Sequence, residues 1–342
     1  MSLEAQSQVI AAEAPVAGGQ YAAEGVATVT ARSPMEQAWR RLRRDRIAMA
    51  SGVIIIVMLL LAFVGAPLAE RWVGHGPNDL ITHGVQNYQP VGPWSHVTDN
   101  NGKPTTLVLG ASDLVGRDEF LRLLYGARVS LEVGILATFF GLTMGVLFGM
   151  LAGYYGGYTD TLISRVIEIV MAFPFLLFLI AIAATIGERI NDITFGGLLT
   201  PGVFTLVLVL SLFSWFYPAR IIRSQVLALR EKEFVEAARM VGASNFRIMR
   251  SHLLPHLTGT IIVYASITVA INILAETTLS YLGVGLPDPY ASWGKLLDSA
   301  VAFYTIQPWL IVWPGLALLI TALSFNLLGD GLRDAFDPRA NL

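Results

Sequence analysis

The stretch from Arg220 to His256 constrains this chain more than any other, because apolar segments long enough to cross a bilayer lie on both sides of it. It carries seven basic residues: Arg220, Arg223, Arg230, Lys232, Arg239, Arg247 and Arg250. On insertion scales an Arg or Lys at mid-bilayer costs about 2.5–3.5 kcal/mol, so seven together would cost on the order of 20 kcal/mol. The stretch cannot span, and it is expected on the cytoplasmic side. Within it, Phe234, Val235, Ala237, Ala238, Met240 and Val241 form one broad apolar helical face, with Glu236 and Arg239 opposite. Gly242 stands where a helix ends in a left-handed turn. Ser244 can cap a second helix through Asn245–Arg250, and Pro255 is expected to break the chain before the next span. Helix, glycine corner and helix make a knuckle. Such a knuckle either meets a cytoplasmic partner or merely covers its own bundle, and pattern alone leaves both readings open.

The remainder points to a polytopic, all-α membrane protein. Apolar residues make up 54% of the chain and charged ones 14%, with positive mean hydropathy. Six segments are apolar enough to span: 47–66, 133–153, 169–186, 202–219, 257–275 and 309–328. Gly141, Gly145, Gly149 and Gly153 recur every four residues, a stripe that allows close helix approach in lipid. Pro174 and Pro314 are expected to kink their helices. With the N-terminus inside, 16 of the 23 basic residues fall on inner pieces, which favours six transmembrane helices with both termini cytoplasmic.

Five regions follow. Residues 1–32 lack a basic region followed by an apolar core, so they read as a disordered cytoplasmic tail and not a signal peptide. Residues 33–46 read as a basic juxtamembrane helix, started by Ser33, Pro34 and Glu36. Its Arg40, Arg41, Arg43, Arg44 and Arg46 suit a positive-inside anchor against membrane lipid, not a nucleic-acid site. The first span, 47–66, leads to an extracytoplasmic segment, 67–128, whose end from about Asp118 reads as an amphipathic helix on the membrane surface. Residues 129–342 form the core, with the cytoplasmic loop 220–256 inside it.

Chemistry is sparse. There is no cysteine, which removes disulfides and thiolate catalysis, and no Gly-x-x-x-x-Gly-Lys-Ser/Thr phosphate loop. If ATP drives this chain, the ATP sits on a partner. His252 and His256, four apart, would share a helical face, but no third ligand lies nearby, so they read as interfacial histidines and no metal is assigned. Glu132 and Glu168 have helical partners in Arg128 and Arg165. Glu276, with Asn272 one turn earlier, has no local cation; it either lines a translocation path or caps the outer end of the fifth span. No nucleophile–base or paired-carboxylate constellation appears, so the chain reads as a non-catalytic subunit.

Glu236-Ala237-Ala238, then Gly242, then Leu254-Pro255, resembles the EAA loop of membrane subunits of bacterial ABC importers, with His252 where the family has an aliphatic residue. Gly116-Arg117-Asp118 and Leu124-Tyr125-Gly126-Ala127-Arg128 resemble the dipeptide, oligopeptide and nickel branch, although Ala111-Ser112 replaces its usual Gly-Thr. The run Glu276–Gly283, with Pro287 and Trp293-Gly294, and the ending Asn326–Arg339 resemble the same branch, closest to its second-permease type. The resemblance implies a type I ABC importer-like transmembrane domain. It further implies a second permease subunit, two ATP-binding cassette subunits carrying ATP and Mg, and an extracytoplasmic solute-binding protein. Coupling to the ATPase would run through Phe234, Glu236, Ala237, Ala238, Met240, Gly242, Ala243, Ser244 and Pro255. Peptides are the expected cargo, with nickel or other small solutes as the alternative; an ion-coupled secondary transporter is the rival class.

Overall fold

The computed structural model describes residues 34–99 and 102–336. The expected tail, the Ser33 cap and the Asp337-Pro338-Arg339 ending lie outside them.

A short helix, α1 (Pro34–Leu42), precedes α2 (Arg46–Leu60), which Asp45 caps through its side chain. A π-helical turn, Leu61–Gly65, carries α2 on into α3 (Ala66–Val73), so the first span covers Arg46–Val73. Two small antiparallel ribbons follow, Val85–Gln86 with Gln89–Pro90 and Ser95–Thr98 with Pro104–Leu107. They close over a small core of Ile81, Val91, Val97, Leu107 and Ala111.

The second span is α4 (Glu119–Tyr155), 37 residues without a break. This corrects the expectation of a separate surface helix from Asp118. Asp118 does cap the helix, accepting from the Phe120 and Leu121 amides, but the helix then runs straight into the span. No proline or other stop signal interrupts it. Its polar residues are held by protein and not by headgroups: Arg122 donates to the Pro289 carbonyl, Arg128 pairs with Glu132, and Tyr125 donates to Glu70. The boundary drawn at 128/129 therefore falls inside one rigid element.

The third segment is broken outright. Helices α5 (Gly157–Met171) and α6 (Phe175–Ile190) meet at an 88° bend across Ala172-Phe173-Pro174. Pro174 has no amide hydrogen, and it pushes Phe173 away from helical geometry. The fourth span, Val203–Leu229, comprises α7 (Val203–Ser214) and α8 (Phe216–Leu229), joined at Trp215, whose backbone stays helical. Pro314, by contrast, stays inside an unbroken helix. The glycine stripe of α4 faces this fourth span. A β-carbon at Gly145 would stand 2.9 Å from the Trp215 carbonyl oxygen, and one at Gly149 would stand 2.6 Å from that of Ala219. Only glycine permits the approach.

After the knuckle comes α11 (Leu254–Tyr281), then α12 (Trp293–Ala300) and α13 (Trp309–Phe336). Among the described residues five helices are long and apolar enough to cross a membrane, six if the bent pair counts as one span. Ala38, Leu42 and Ala48 pack with Ala335, and a β-carbon on Gly259 would meet the Phe336 ring. Both ends of the described chain thus share one end of the bundle with the knuckle.

Candidate functional site

The knuckle is shorter than the charged stretch that contains it. Arg220 and Arg223 belong to α8, an extension of the fourth span. Its first arm is α9 (Glu233–Met240), and Val241 ends that arm. Gly242 follows at φ +82°; its amide bonds the Arg239 carbonyl at 2.9 Å, and the Ala243 amide bonds that of Ala238 at 3.0 Å. This pair of bonds is a Schellman turn, with Ala238 and Ala243 as its apolar contact. The second arm opens at α10 (Asn245–Arg247), where the Ser244 hydroxyl accepts from the Arg247 amide. A π-helical segment, Ile248–Leu253, then leads into α11.

Two sequence expectations need correction here. Pro255 does not break the chain. It stands just past the π segment, where the Leu254 amide already bonds the Met249 carbonyl five residues back, and helix is continuous from Asn245 to Tyr281. The apolar face of α9 is also not one face. Val235 is fully buried against Ile248, Leu253 and Ile222, with Phe234 and Ala238 half-buried beside it. Ala237, Met240 and Val241 point the other way, Met240 being 83% and Val241 88% exposed. The bundle takes only one side of the first arm. Glu236, Gly242 and Ser244 are exposed with the tip.

Contacts that sequence reasoning missed hold the knuckle rigid. Tyr154, near the end of α4, donates to Asn245 Oδ1 at 2.9 Å, and Arg239 lies over its ring at 5.5 Å. One side chain therefore touches both arms. Arg230 donates to the Gly153 carbonyl at 3.1 Å, and Arg223 forms an ion pair with Asp160 on α5. The pair Tyr154-Tyr155 at the end of a span was the available signal. Phe234 stacks on His256 at 4.9 Å, and His256 Nδ1 lies 2.7 Å from the His252 carbonyl. Those two histidines therefore serve packing. Among the described residues, no group of three or more His, Asp or Glu is placed to hold a metal.

Asn272 and Glu276 separate. Glu276 is 0% exposed; Ser130 donates to one carboxylate oxygen at 2.8 Å and Ser280 to the other at 2.7 Å. The Trp293 amide donates in turn to Ser130. The carboxylate thus ties α11 to α4 and α12, as a cap would. Asn272 donates to Thr138 at 2.9 Å and accepts from Ser214 at 2.8 Å. It also borders a cleft of about 410 Å³. Glu132 and Glu168 pair with Arg128 and Arg165, both at 2.8 Å, as their spacing predicts.

Residues 145–342 match the family described as binding-protein-dependent transport system inner membrane component. Residues 33–90 match the N-terminal TM domain of oligopeptide transport permease C. The glutathione transport system permease protein GsiD of Shigella dysenteriae serotype 1 is 36% identical over 308 residues, covering 90% of this chain and 91% of that protein. The GsiD protein of Escherichia coli O157:H7 gives the same identity and coverage. Among solved structures, the MetNI methionine ABC transporter in an inward-facing form aligns at 18% identity with a TM-score of 0.48, over 64% of this chain and 97% of that one.

Proposed function

Because this chain belongs to the family of binding-protein-dependent transport system inner membrane components, and is thus an ABC importer permease of the inner membrane, we propose that its knuckle is the part a motor subunit grips. In this reading Met240, Val241 and the exposed side of Glu236–Ser244 dock on an ATP-binding cassette subunit in the cytoplasm. ATP and Mg are then bound there and not on this chain. A second permease subunit completes the path, and a solute-binding protein delivers cargo at the opposite end. Closure of the motor moves the knuckle, and α8 and α11 move with it, biasing a two-state bundle.

The observation that carries this reading is the exposed apolar tip on an otherwise anchored corner. Apolar side chains left outward on a rigid support mark an interaction surface. A loop that merely covered its own bundle would turn Met240 and Val241 inward with Val235. Peptides are the proposed cargo, since the relatives are named for glutathione and the N-terminal match for oligopeptide transport.

Copurification tests it. An ATP-binding subunit should be retained by the wild-type membrane complex and lost when Glu236–Gly242 is replaced by a Gly/Ser stretch of equal length. Retention after replacement would place the docking surface elsewhere.

A further inference from the structure

The sharp bend between α5 and α6 and the α7–α8 junction border the same cleft. Phe213 lies ten residues into α7 and Thr268 thirteen residues before the end of α11, so both stand roughly 15–20 Å below the end opposite the knuckle, at about 1.5 Å per residue. That is near the middle of a hydrocarbon core about 30 Å thick. At this level α7 gives way to α8 at Trp215, and α5 bends by 88° into α6. Pro218 and Pro174 lack the amide hydrogen that would serve the carbonyl one turn back. Irregular backbone at this depth is tolerated only where protein buries it or a water-filled cavity receives it. A cleft does lie there, of about 410 Å³ and inside the range of small-molecule sites. Its walls are aromatic (Phe173, Phe213, Tyr217 and Tyr264), with Ser214 and Asn272 as a hydrogen-bonded amide–hydroxyl pair.

We propose that this cleft is a contact site for side chains of a peptide in transit, favouring apolar and aromatic ones. The proposal rests on the importer reading and adds to it where cargo touches this subunit. Aromatic faces take up apolar side chains of varied shape, while the half-buried Ser214 oxygen, whose proton is held by its own neighbours, can accept from a peptide amide. Interrupted helices meeting at mid-depth are how other transporters build substrate sites. A lipid tail would need neither the broken backbone nor the hydroxyl.

The chain contains no cysteine, so single-cysteine variants need no prior substitution. Ile271 borders the cleft and is 53% exposed, which makes Ile271→Cys a mild change. Leu323→Cys, on an exposed part of α13 away from the cleft, is the control. In the complete importer reconstituted in proteoliposomes, a water-soluble maleimide should modify Ile271→Cys and leave Leu323→Cys unmodified. Ala-Phe-Ala supplied with binding protein and ATP should slow that modification about tenfold, the factor for a site occupied most of the time. Tyr217→Cys on the facing wall repeats the measurement if the first variant fails to assemble. Modification without protection overturns the cleft assignment, and so does no modification, because lipid or the second permease subunit then covers the site. Failure of the wild-type importer to accumulate Ala-Phe-Ala or other short peptides overturns the peptide reading itself, a result distinguishable from either.

Discussion

The two ends of the bundle treat polarity in opposite ways. At the knuckle end apolar Met240, Val241 and Phe246 face outward, and Glu231, the partner of Arg230, is largely in solvent. At the opposite end charges are drawn inside. Asp118 is fully buried and bonds His75 at 3.0 Å, Arg117 pairs with Asp113 at 2.6 Å, and Arg122 is buried on the Pro289 carbonyl. Gln307 donates to the Pro90 carbonyl, tying the ribbon segment to the start of α13. Buried polar groups with partners fix one arrangement, since losing either partner leaves the other stranded. Exposed apolar ones do the reverse, for they are satisfied only by something that arrives. One end is locked by its own residues and the other is left to be completed.

The largest effect that can break this comparison lies at the corner. Gly242→Val places a β-carbon at φ +82°, which costs about 1–2 kcal/mol in itself and misaims the second arm. Substrate-stimulated ATP hydrolysis by the assembled importer should vanish while the subunit still expresses, and unchanged hydrolysis would deny the corner its role. Glu276→Ala probes the locked end. It strands the buried Ser130 and Ser280 hydroxyls at about 1–3 kcal/mol each. Thermal stability of the purified complex and its transport should fall together, and Glu276→Gln, which keeps an acceptor, should restore most of both. Loss of transport at full stability would return Glu276 to the translocation path. Tyr154→Phe is the subtlest. It removes the hydrogen bond to Asn245 but keeps the ring beneath Arg239, a loss of about 0.5–1.5 kcal/mol. Transport per ATP hydrolysed should drop between about two- and tenfold, and an unchanged ratio would show that the clamp carries no motion.

Much of the architecture was legible because bilayer physics writes it coarsely. Runs of apolar residues gave the spans, and the glycine stripe gave its own contact. Gly242 and Ser244 announced a turn and a cap that local chemistry alone decides. What escaped depends on partners distant in sequence. Nothing near Arg122 or Tyr125 says that residues 289 and 70 will absorb their polarity, so the start of α4 read as a surface helix. The π segment after Arg247 has no sequence mark, and the split of Val235 from Met240 and Val241 depends on what the bundle offers to each side of α9. Pro255 was misread because proline can sit inside a helix where the usual bonding pattern is already altered, as it is just after the π segment.

The seam between α4 and the fourth span has a mechanical consequence. Where Gly141, Gly145, Gly149 and Gly153 pack directly on Ser214, Pro218, Ile222 and Val226, α4 brings no side chain of its own into the contact to slide or repack. The two must travel as a single plank. Whatever flexes during a transport cycle is then pushed to the joint that the plank leaves free, the elbow at residues 172–174, and a cross-link across the glycine seam should leave the machine running.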